Sequence, residues 1–506
     1  MPNEGLGFWL PRRRLKSPRK PALVFDGEVM TYGELADATD GVARVLRDRG
    51  IRPGDAIAYF GENSPQLLQV MFASAQVGAV FVPVNTRLAP PEIAHVIHDS
   101  GARVVVHDAD YGERIAPALA GSSLDHVIPT RGSDGKGLDA LIAAAAPGLE
   151  PVAVSLDHPA AIIYTSGTTG RAKGAVLSHK NLTWVALNAI VDYDIVSTDV
   201  ALMISPLFHV ASLGMGALPV LMKGATMVLE KGFEPGSALA QIQRHGVTML
   251  SGVPTTYQLM ADHPDWASTD LSTLTKLTCG GSAVPDRILN AYEQRGLSFS
   301  QGYGMTETSP GATSLASDMT REKQGSVGLP HFFTDVRIAD EHGKCVAPGV
   351  IGEIEITGPN VFVGYHNLAA ETEAAFTDDG WFRSGDLGYL DADGYLFVSD
   401  RLKDMVISGG ENIYPAEVEN LVNDMEGVTG VAVIGIPDDQ WGEVPWAILT
   451  MREGTLIDTA TVRAHLDGTL ARYKLPKHVE IVDELPRTAS GKVRKAELRR
   501  RFAPGT

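Results

Sequence analysis

Cysteine is almost missing from this chain. Cys279 and Cys345 are the only two in 506 residues, so no disulfide framework staples the fold, and a reducing compartment, the cytoplasm, is expected. Long apolar runs are missing too: no stretch reaches the ~18 residues a membrane-spanning helix needs. The N-terminal segment carries its charges after its few apolar residues, the reverse of a signal peptide. Basic residues are in deficit, 43 against 61 acidic, for a net charge of −18. That argues against a nucleic-acid partner while leaving room for a local anion pocket. The one basic cluster, Arg12, Arg13, Arg14, Lys16, Arg19 and Lys20, fits either weak contact with an anionic membrane surface or a solvated helix end. What is left is an ordinary globular composition, 44% hydrophobic, in a chain too long for one core, so two or more domains are expected.

Short apolar strands alternate with helical patterns through most of the length. Residues 56–60, 79–85, 102–108, 160–166, 200–205, 225–230, 247–254 and 276–281 read as buried strands. Between them lie amphipathic stretches such as 31–50, where Thr31 and Glu34 spell a capping box. The alternation predicts an α/β fold of parallel sheets covered by helices. After about residue 335 the strands shorten and turns such as "EHGK" and "DADG" separate them, which predicts an antiparallel, β-barrel-like part. A compact α+β run follows Arg401, long enough at roughly 100 residues for a small, mobile C-terminal domain. The expected division is 1–400 and 401–506, at "DRLKD", a segment whose composition alone does not mark a linker.

Residues 164–174, "YTSGTTGRAKG", follow the apolar "AAIIY". Bare glycine N–H groups, hydroxyls and a lysine at a strand end suit phosphate. The spacing is not that of a Walker A loop, because Gly167 and Gly170 are too close and Gly174 follows Lys173. A plain surface turn has the same composition. In "QGYGMTET" (301–308), Glu307 could hold Mg²⁺ beside a triphosphate or simply cap a helix. Asp386 and Arg401 could meet ribose hydroxyls or be surface charges. "ISGGENIYPAEVEN" (407–420) is a Gly-Gly loop opening a helix after Pro415. "PRTASGKVRK" (486–495) could be a disordered basic tail.

Taken in order, "YTSGTTGRAKG", "GYGMTET", "GWFRSGD", "DRLKDMVISGGENIYPAEVE" and "PRTASGK" resemble the core motifs of the adenylate-forming superfamily, which holds acyl- and aryl-CoA synthetases, peptide-synthetase adenylation domains and beetle luciferases. The resemblance runs from about residue 20 to 500. It implies an AMP-forming acid–CoA ligase using ATP and CoA, with Mg²⁺. By that resemblance Thr165, Ser166, Gly167, Thr168, Thr169, Gly170 and Lys173 close over the β- and γ-phosphates. Gly281, Ser282, Ala283, Gly302, Tyr303 and Gly304 frame the adenine, Thr306 touches the α-phosphate, and Glu307 holds the metal. Asp386 and Arg401 bind the ribose. Lys492 reaches from the small domain to the reacting carboxylate and α-phosphate. Lys403 sits at the hinge position, and Gly409, Gly410 and Glu411 form the loop that swings in for the CoA step.

His209, in "PLFHVASLGMG" (206–216), matches a position at the acyl pocket; a buried helix-capping histidine is the other reading. Ala211, Gly214, Pro310 and Gly311 would complete a pocket of small residues. The wording elsewhere is similar to actinobacterial fatty-acid–CoA and feruloyl/coumaroyl-CoA ligases, so the implied acid is a hydroxycinnamate or a medium- to long-chain fatty acid. A free-standing enzyme loading a carrier protein and a non-catalytic nucleotide-binding protein are the competing readings, though no carrier-like segment follows residue 506. Pro486 and Gly491-Lys492 also fit a pattern that protein lysine acetyltransferases recognise in bacterial members, and a homo-oligomer is left open.

Overall fold

The structure, a computed structural model, describes residues 4–502 except 121, 123, 133–134, 147, 150–151, 166–171, 281–283, 402–403, 409–410, 439–440, 453, 456, 468, 471 and 489–491. Two large sheets form its body. The first has nine strands in the order Leu329–Pro330, Thr313–Leu315, Phe299–Tyr303, Lys276–Gly280, Met249–Gly252, Val200–Met203, Thr226–Leu229, Pro21–Phe25, Glu28–Thr31. Its inner pairs are parallel and its edge pairs antiparallel. The second has seven strands, Gly364–Tyr365, Lys173–Ser178, Pro159–Thr165, Val80–Val84, Ala56–Phe60, Ala102–His107, His126–Pro129. It is parallel except at the end made by Lys173–Ser178 and Gly364–Tyr365.

The central strands Ala56–Phe60 and Val80–Val84 are buried at every position, as continuous apolar runs must be when helices cover both faces. The expected strand at 247–254 stops at Gly252, because Pro254 opens the helix Pro254–Ala261. The Thr31/Glu34 box forms as read: Thr31 N–H donates to Glu34 Oε2 at 2.8 Å and Glu34 N–H to Thr31 Oγ1 at 3.2 Å, starting the helix Tyr32–Asp48. Half of the basic cluster is engaged within the fold, while Arg12, Lys16 and Arg19 are exposed. Arg14 pairs with Asp37 and Asp40 at 2.7 and 2.8 Å, and Arg13 and Lys20 donate to the carbonyls of Met222 and Ser197. These charges serve the helix Trp9–Lys16 and its neighbours before any membrane surface. Among the described residues no helix is long and apolar enough to cross a membrane.

The antiparallel part after residue 335 is a four-stranded sheet, Asp335–Ala339, Gly352–Thr357, Phe382–Leu390, Leu396–Arg401. Beyond it the chain starts a new sheet in which Gly442–Met451 pairs with Val428–Asp438, Val406–Ser408 and His478–Ile481. This C-terminal unit has its own apolar clusters, one around Val406, Val418, Val433 and Leu449, another around Ile434, Ile448 and Leu498. Its first and last segments are tied by Asp404 to Arg499 at 2.9 Å.

Candidate functional site

The segment 301–311 leaves the nine-stranded sheet and meets the other two sheets of the body. Tyr303 closes its strand and donates its hydroxyl to Asp386 Oδ2 at 2.7 Å, on the four-stranded sheet. Glu307, four residues on, accepts from the Tyr365 hydroxyl at 2.8 Å, and Tyr365 belongs to the seven-stranded sheet. Lys173 Nζ stands 5.3 Å from the centre of the Tyr365 ring, a cation–π distance. Burial, and then the Glu307 charge, push the Tyr365 phenol far above its ordinary range, so it stays a donor. Three sheets therefore converge on a Lys173–Tyr365–Glu307 chain at one point and a Tyr303–Asp386 pair at another.

The described residues read from sequence as the nucleotide and metal site fall on this rim. Thr165 and Lys173 face each other across antiparallel strands, on either side of residues 166–171 in the chain. Asp386 and Arg401 are direct cross-strand partners. Thr306 and Glu307 begin a single 3₁₀ turn, Thr306–Thr308, so the helix-cap reading of Glu307 does not apply: the turn is too short to be an N-terminal site, and the carboxylate is engaged by Tyr365. Gly304 is glycine by necessity, since a Cβ would stand 1.3 Å from the Pro310 carbonyl oxygen; at Gly302 one would stand 3.1 Å from the Thr313 carbonyl oxygen. Ser166, Gly167, Thr168, Thr169, Gly170, Gly281, Ser282, Ala283, Lys403, Gly409 and Gly410 lie outside the described residues.

The residues read as the acyl pocket lie where a helix meets a turn. Residues Ala211–Ala217 form a π-helix, a geometry common at functional sites. Gly214 lets it press on the turn: a Cβ there would come within 2.3 Å of the Ser309 carbonyl oxygen. Gly214 thus sets the approach of two walls. Ser309 holds a left-handed φ of 67°, a conformation its surroundings must enforce. Asn360 does so, donating to the carbonyls of Thr308 at 2.9 Å and Gly311 at 2.6 Å, either side of Ser309-Pro310. Ala211 is exposed and Gly311 buried. His209 precedes the π-helix, whose N-cap is Val210 with no side-chain cap bond, so the helix-capping reading fails. Its Nε2 is buried with no partner among the described residues. Burial, then the Arg87 charge, lower its pKa to about 4, so the imidazole is neutral at pH 7.

Sequence reading missed the residues that hold this arrangement: Tyr365, Asn360, Asn181, Asn188 and His331. Asn181 donates to the carbonyls of Pro359 and Val361, at 2.9 and 2.6 Å, and Asn188 accepts from Phe333 N–H and donates to Thr334 Oγ1, both at 3.0 Å. Both sit on the helix His179–Asp192, seven residues apart and buried. Two amides repeating at that spacing on an otherwise apolar face was the available signal.

Lys492 lies in the C-terminal unit, and the described residues on either side of 489–491 are bonded to one another. Lys492 N–H donates to Thr488 Oγ1 at 3.1 Å, Thr488 N–H to the Lys492 carbonyl at 2.7 Å, and Arg487 bridges Val493. These bonds precede the helix Lys495–Phe502. Glu411 starts the strand Glu411–Ile413, paired with Val406–Ser408.

A family profile described as AMP-binding enzyme matches residues 10–366, and one described as AMP-binding enzyme C-terminal domain matches residues 417–492. The chain belongs to the AMP-binding enzyme family. This AMP-binding enzyme is 48% identical over 502 residues to a feruloyl-CoA synthase of Amycolatopsis sp, covering 99% of this chain and 100% of that protein. It is 35% identical over 505 residues to the long-chain-fatty-acid–CoA ligase FadD13 of Mycobacterium tuberculosis, 99% of each covered. Among solved structures, ATP-bound MatB from Rhodopseudomonas palustris matches with a TM-score of 0.92 at 34% identity, over 99% of both chains.

Proposed function

We propose that this AMP-binding enzyme joins a hydroxycinnamic acid, of the ferulate or coumarate type, to coenzyme A through an acyl-adenylate made from ATP. The observation that carries the reading is the end-to-end likeness to feruloyl-CoA synthase, at 48% identity against 35% for the fatty-acid ligase. The geometry agrees with its chemistry. Carboxylate attack on an α-phosphate needs charge neutralised on both partners and an in-line approach. In this reading Lys173 and the 166–170 loop hold the terminal phosphates. Asp386 accepts from the ribose hydroxyls, and Thr306 positions the α-phosphate.

Glu307 fits a divalent cation. It is a carboxylate on the rim with one oxygen oriented by Tyr365, and the described residues offer no cluster of three acidic, histidine or cysteine ligands. That donor set suits Mg²⁺ shared with a triphosphate rather than a protein-only cage. Bound there, magnesium would neutralise phosphate charge.

Lys492 brings its ammonium to the carboxylate and α-phosphate for the first half-reaction. The unit 401–506 then pivots about Lys403, withdrawing Lys492 and bringing the 409–411 loop towards the site for the thiol. Support for a boundary near residue 400 comes from the change of sheet after Arg401 and the separate apolar clusters beyond it.

The test is pyrophosphate exchange with a panel of acids, with and without CoA. Ferulate- and coumarate-dependent exchange, and thioester on adding CoA, is the expected result. Exchange without thioester would point to a carrier protein as acceptor. Exchange only with octanoate or palmitate would overturn the acid class, and none with any acid would leave a nucleotide-binding protein.

A further inference from the structure

Glu307 is gripped twice by one short segment. Phe362 N–H donates to its backbone carbonyl at 2.8 Å, and the Tyr365 hydroxyl donates to its Oε1 at 2.8 Å. The same segment is tied to the strand Lys173–Ser178. Val363 N–H donates to the Val176 carbonyl at 3.0 Å and His366 N–H to the Gly174 carbonyl at 2.7 Å, and Tyr365 stands opposite Ala175 in the register. Residues 362–366 therefore form a clip that fastens the Glu307 carboxylate to the strand that carries Lys173.

The clip holds its hydroxyl rigidly. Tyr365 N–H donates to Thr372 Oγ1 at 2.9 Å, and Thr372 Oγ1 donates to the Leu368 carbonyl at 2.9 Å. Gly364 lets the segment lie against this threonine, since a Cβ there would come within 2.5 Å of Thr372 Cγ2. Phe362 meets the Tyr365 ring edge-on, centroids 4.9 Å apart at 71°, and the Lys173 ammonium stands 5.3 Å from the ring centre. A phenol on so fixed a ring cannot follow a carboxylate that turns, so the bond selects one orientation of Glu307. Oε1 keeps a second lone pair, but the phenol draws on its charge and fixes its direction. Oε2 is then the stronger donor to a cation.

We infer that Tyr365 is a positioning residue that sets which divalent cation the site accepts: by holding Glu307 Oε1, it presents the carboxylate to the ion through Oε2. The inference rests on the reading that Glu307 holds the metal. Mg²⁺ is small, octahedral and keeps several waters, so a single carboxylate oxygen beside substrate phosphates suits it. Ca²⁺ is larger, gathers more oxygens and readily takes a carboxylate through both. Ligation through one oxygen denies calcium a ligand and leaves magnesium satisfied. Without the hydroxyl, Glu307 can turn and offer both oxygens, and the larger ion gains.

The experiment measures binding of Mg·ATP and Ca·ATP to the full-length enzyme by titration calorimetry, with no acid present so that nothing is adenylated. The unaltered protein should bind Mg·ATP the tighter. Tyr365→Phe keeps the ring against Lys173 and removes the hydroxyl. The ratio of magnesium to calcium affinity should then fall by about tenfold, the scale of one hydrogen bond to a charged group. In Glu307→Gln the carboxylate is gone, so adding Tyr365→Phe to that variant should move the ratio by less than about twofold. Thermal melts confirm that each variant folds. No preference in the unaltered protein, a ratio that Tyr365→Phe leaves unchanged, or an equal shift in the Glu307→Gln background overturns the role of Tyr365 and leaves the metal reading standing. Glu307→Gln binding both complexes as the unaltered protein does removes Glu307 as the ligand, and this inference with it.

Discussion

At the end proposed for the nucleotide, Glu307 and Asp386 each already hold a tyrosine hydroxyl, at 2.8 and 2.7 Å. At the end proposed for the acid, His209 Nε2, Ser309 Oγ and His331 Nε2 are all buried without a partner among the described residues. The contrast fits two tasks in the proposed site. ATP is the same molecule in every turnover, so its carboxylates can be pre-oriented by fixed partners and need no rearrangement. The acid is what must be discriminated, and selectivity for a polar group requires protein atoms whose bonds are completed only by the right ligand.

The largest effect should come from Lys492, which neither end contains. Lys492→Ala removes the charge expected on the carboxylate and α-phosphate. Adenylation should fall by about a thousandfold or more, whereas thioester formation from supplied acyl-adenylate should stay within about tenfold. Equal loss in both half-reactions would sink the assignment. Acetylation by a protein lysine acetyltransferase removes the same charge. Acetylated protein, with the site mapped by mass spectrometry, should show the same selective loss. Glu307→Gln comes next. It keeps the shape and the acceptor for Tyr365 but loses the carboxylate charge, so exchange should drop by about a hundredfold and the magnesium requirement should rise. An unchanged magnesium dependence would place the metal elsewhere.

These two residues also mark what could be read without coordinates. The parallel strands, the shift to antiparallel pairing after residue 335 and the rim residues Lys173, Tyr303, Glu307 and Asp386 were legible. Each rests on a local pattern: a buried apolar run, a turn signal, or a motif of fixed spacing. What stayed hidden is long-range. Tyr365 reaches Glu307 across 58 positions and His331 meets Asp192 across 139. Neither pairing leaves a periodic trace in the chain. The π-helix over Ala211–Ala217 was equally hidden, because an extra residue per turn depends on how Gly214 packs against Ser309 and not on propensity.

Acid should expose the cost of keeping polar groups buried. His209 and His179 both have their pKa lowered to about 4 by burial from an ordinary 6.5. His179 Nδ1 accepts from Leu6 N–H at 3.2 Å, so this ring must be neutral to anchor the N-terminal segment. Between pH 6.5 and 4 the unfolded chain binds the protons that the folded one refuses. Stability therefore falls as pH falls through that window and is complete above it. At pH 5 each histidine should cost about 2 kcal/mol relative to pH 7. The check is denaturant unfolding at both values. His209→Phe should recover about half of the combined loss; a variant with the same acid sensitivity as the unaltered protein would show that His209 is not protonated on unfolding.

The smallest effect should come from Tyr303→Phe, and it probes the comparison most directly. The change removes the hydroxyl that donates to Asp386 Oδ2 and leaves the ring and the strand Phe299–Tyr303 in place. Asp386 is 5% exposed, so losing a donor should lower stability by about 1 kcal/mol. Catalysis should hardly notice. The ribose hydroxyls that Asp386 is expected to accept can take over the vacated oxygen when ATP binds, offsetting the loss in the complex but not in the free enzyme. KM for ATP should move by less than about threefold and kcat by less than that. Titrating ATP in the exchange assay at saturating acid decides it. A rise in KM for ATP beyond about thirtyfold would mean that the Tyr303 hydroxyl itself bonds the nucleotide. The nucleotide end would then also depend on a bond completed by its ligand, and the division of labour between the two ends would fail.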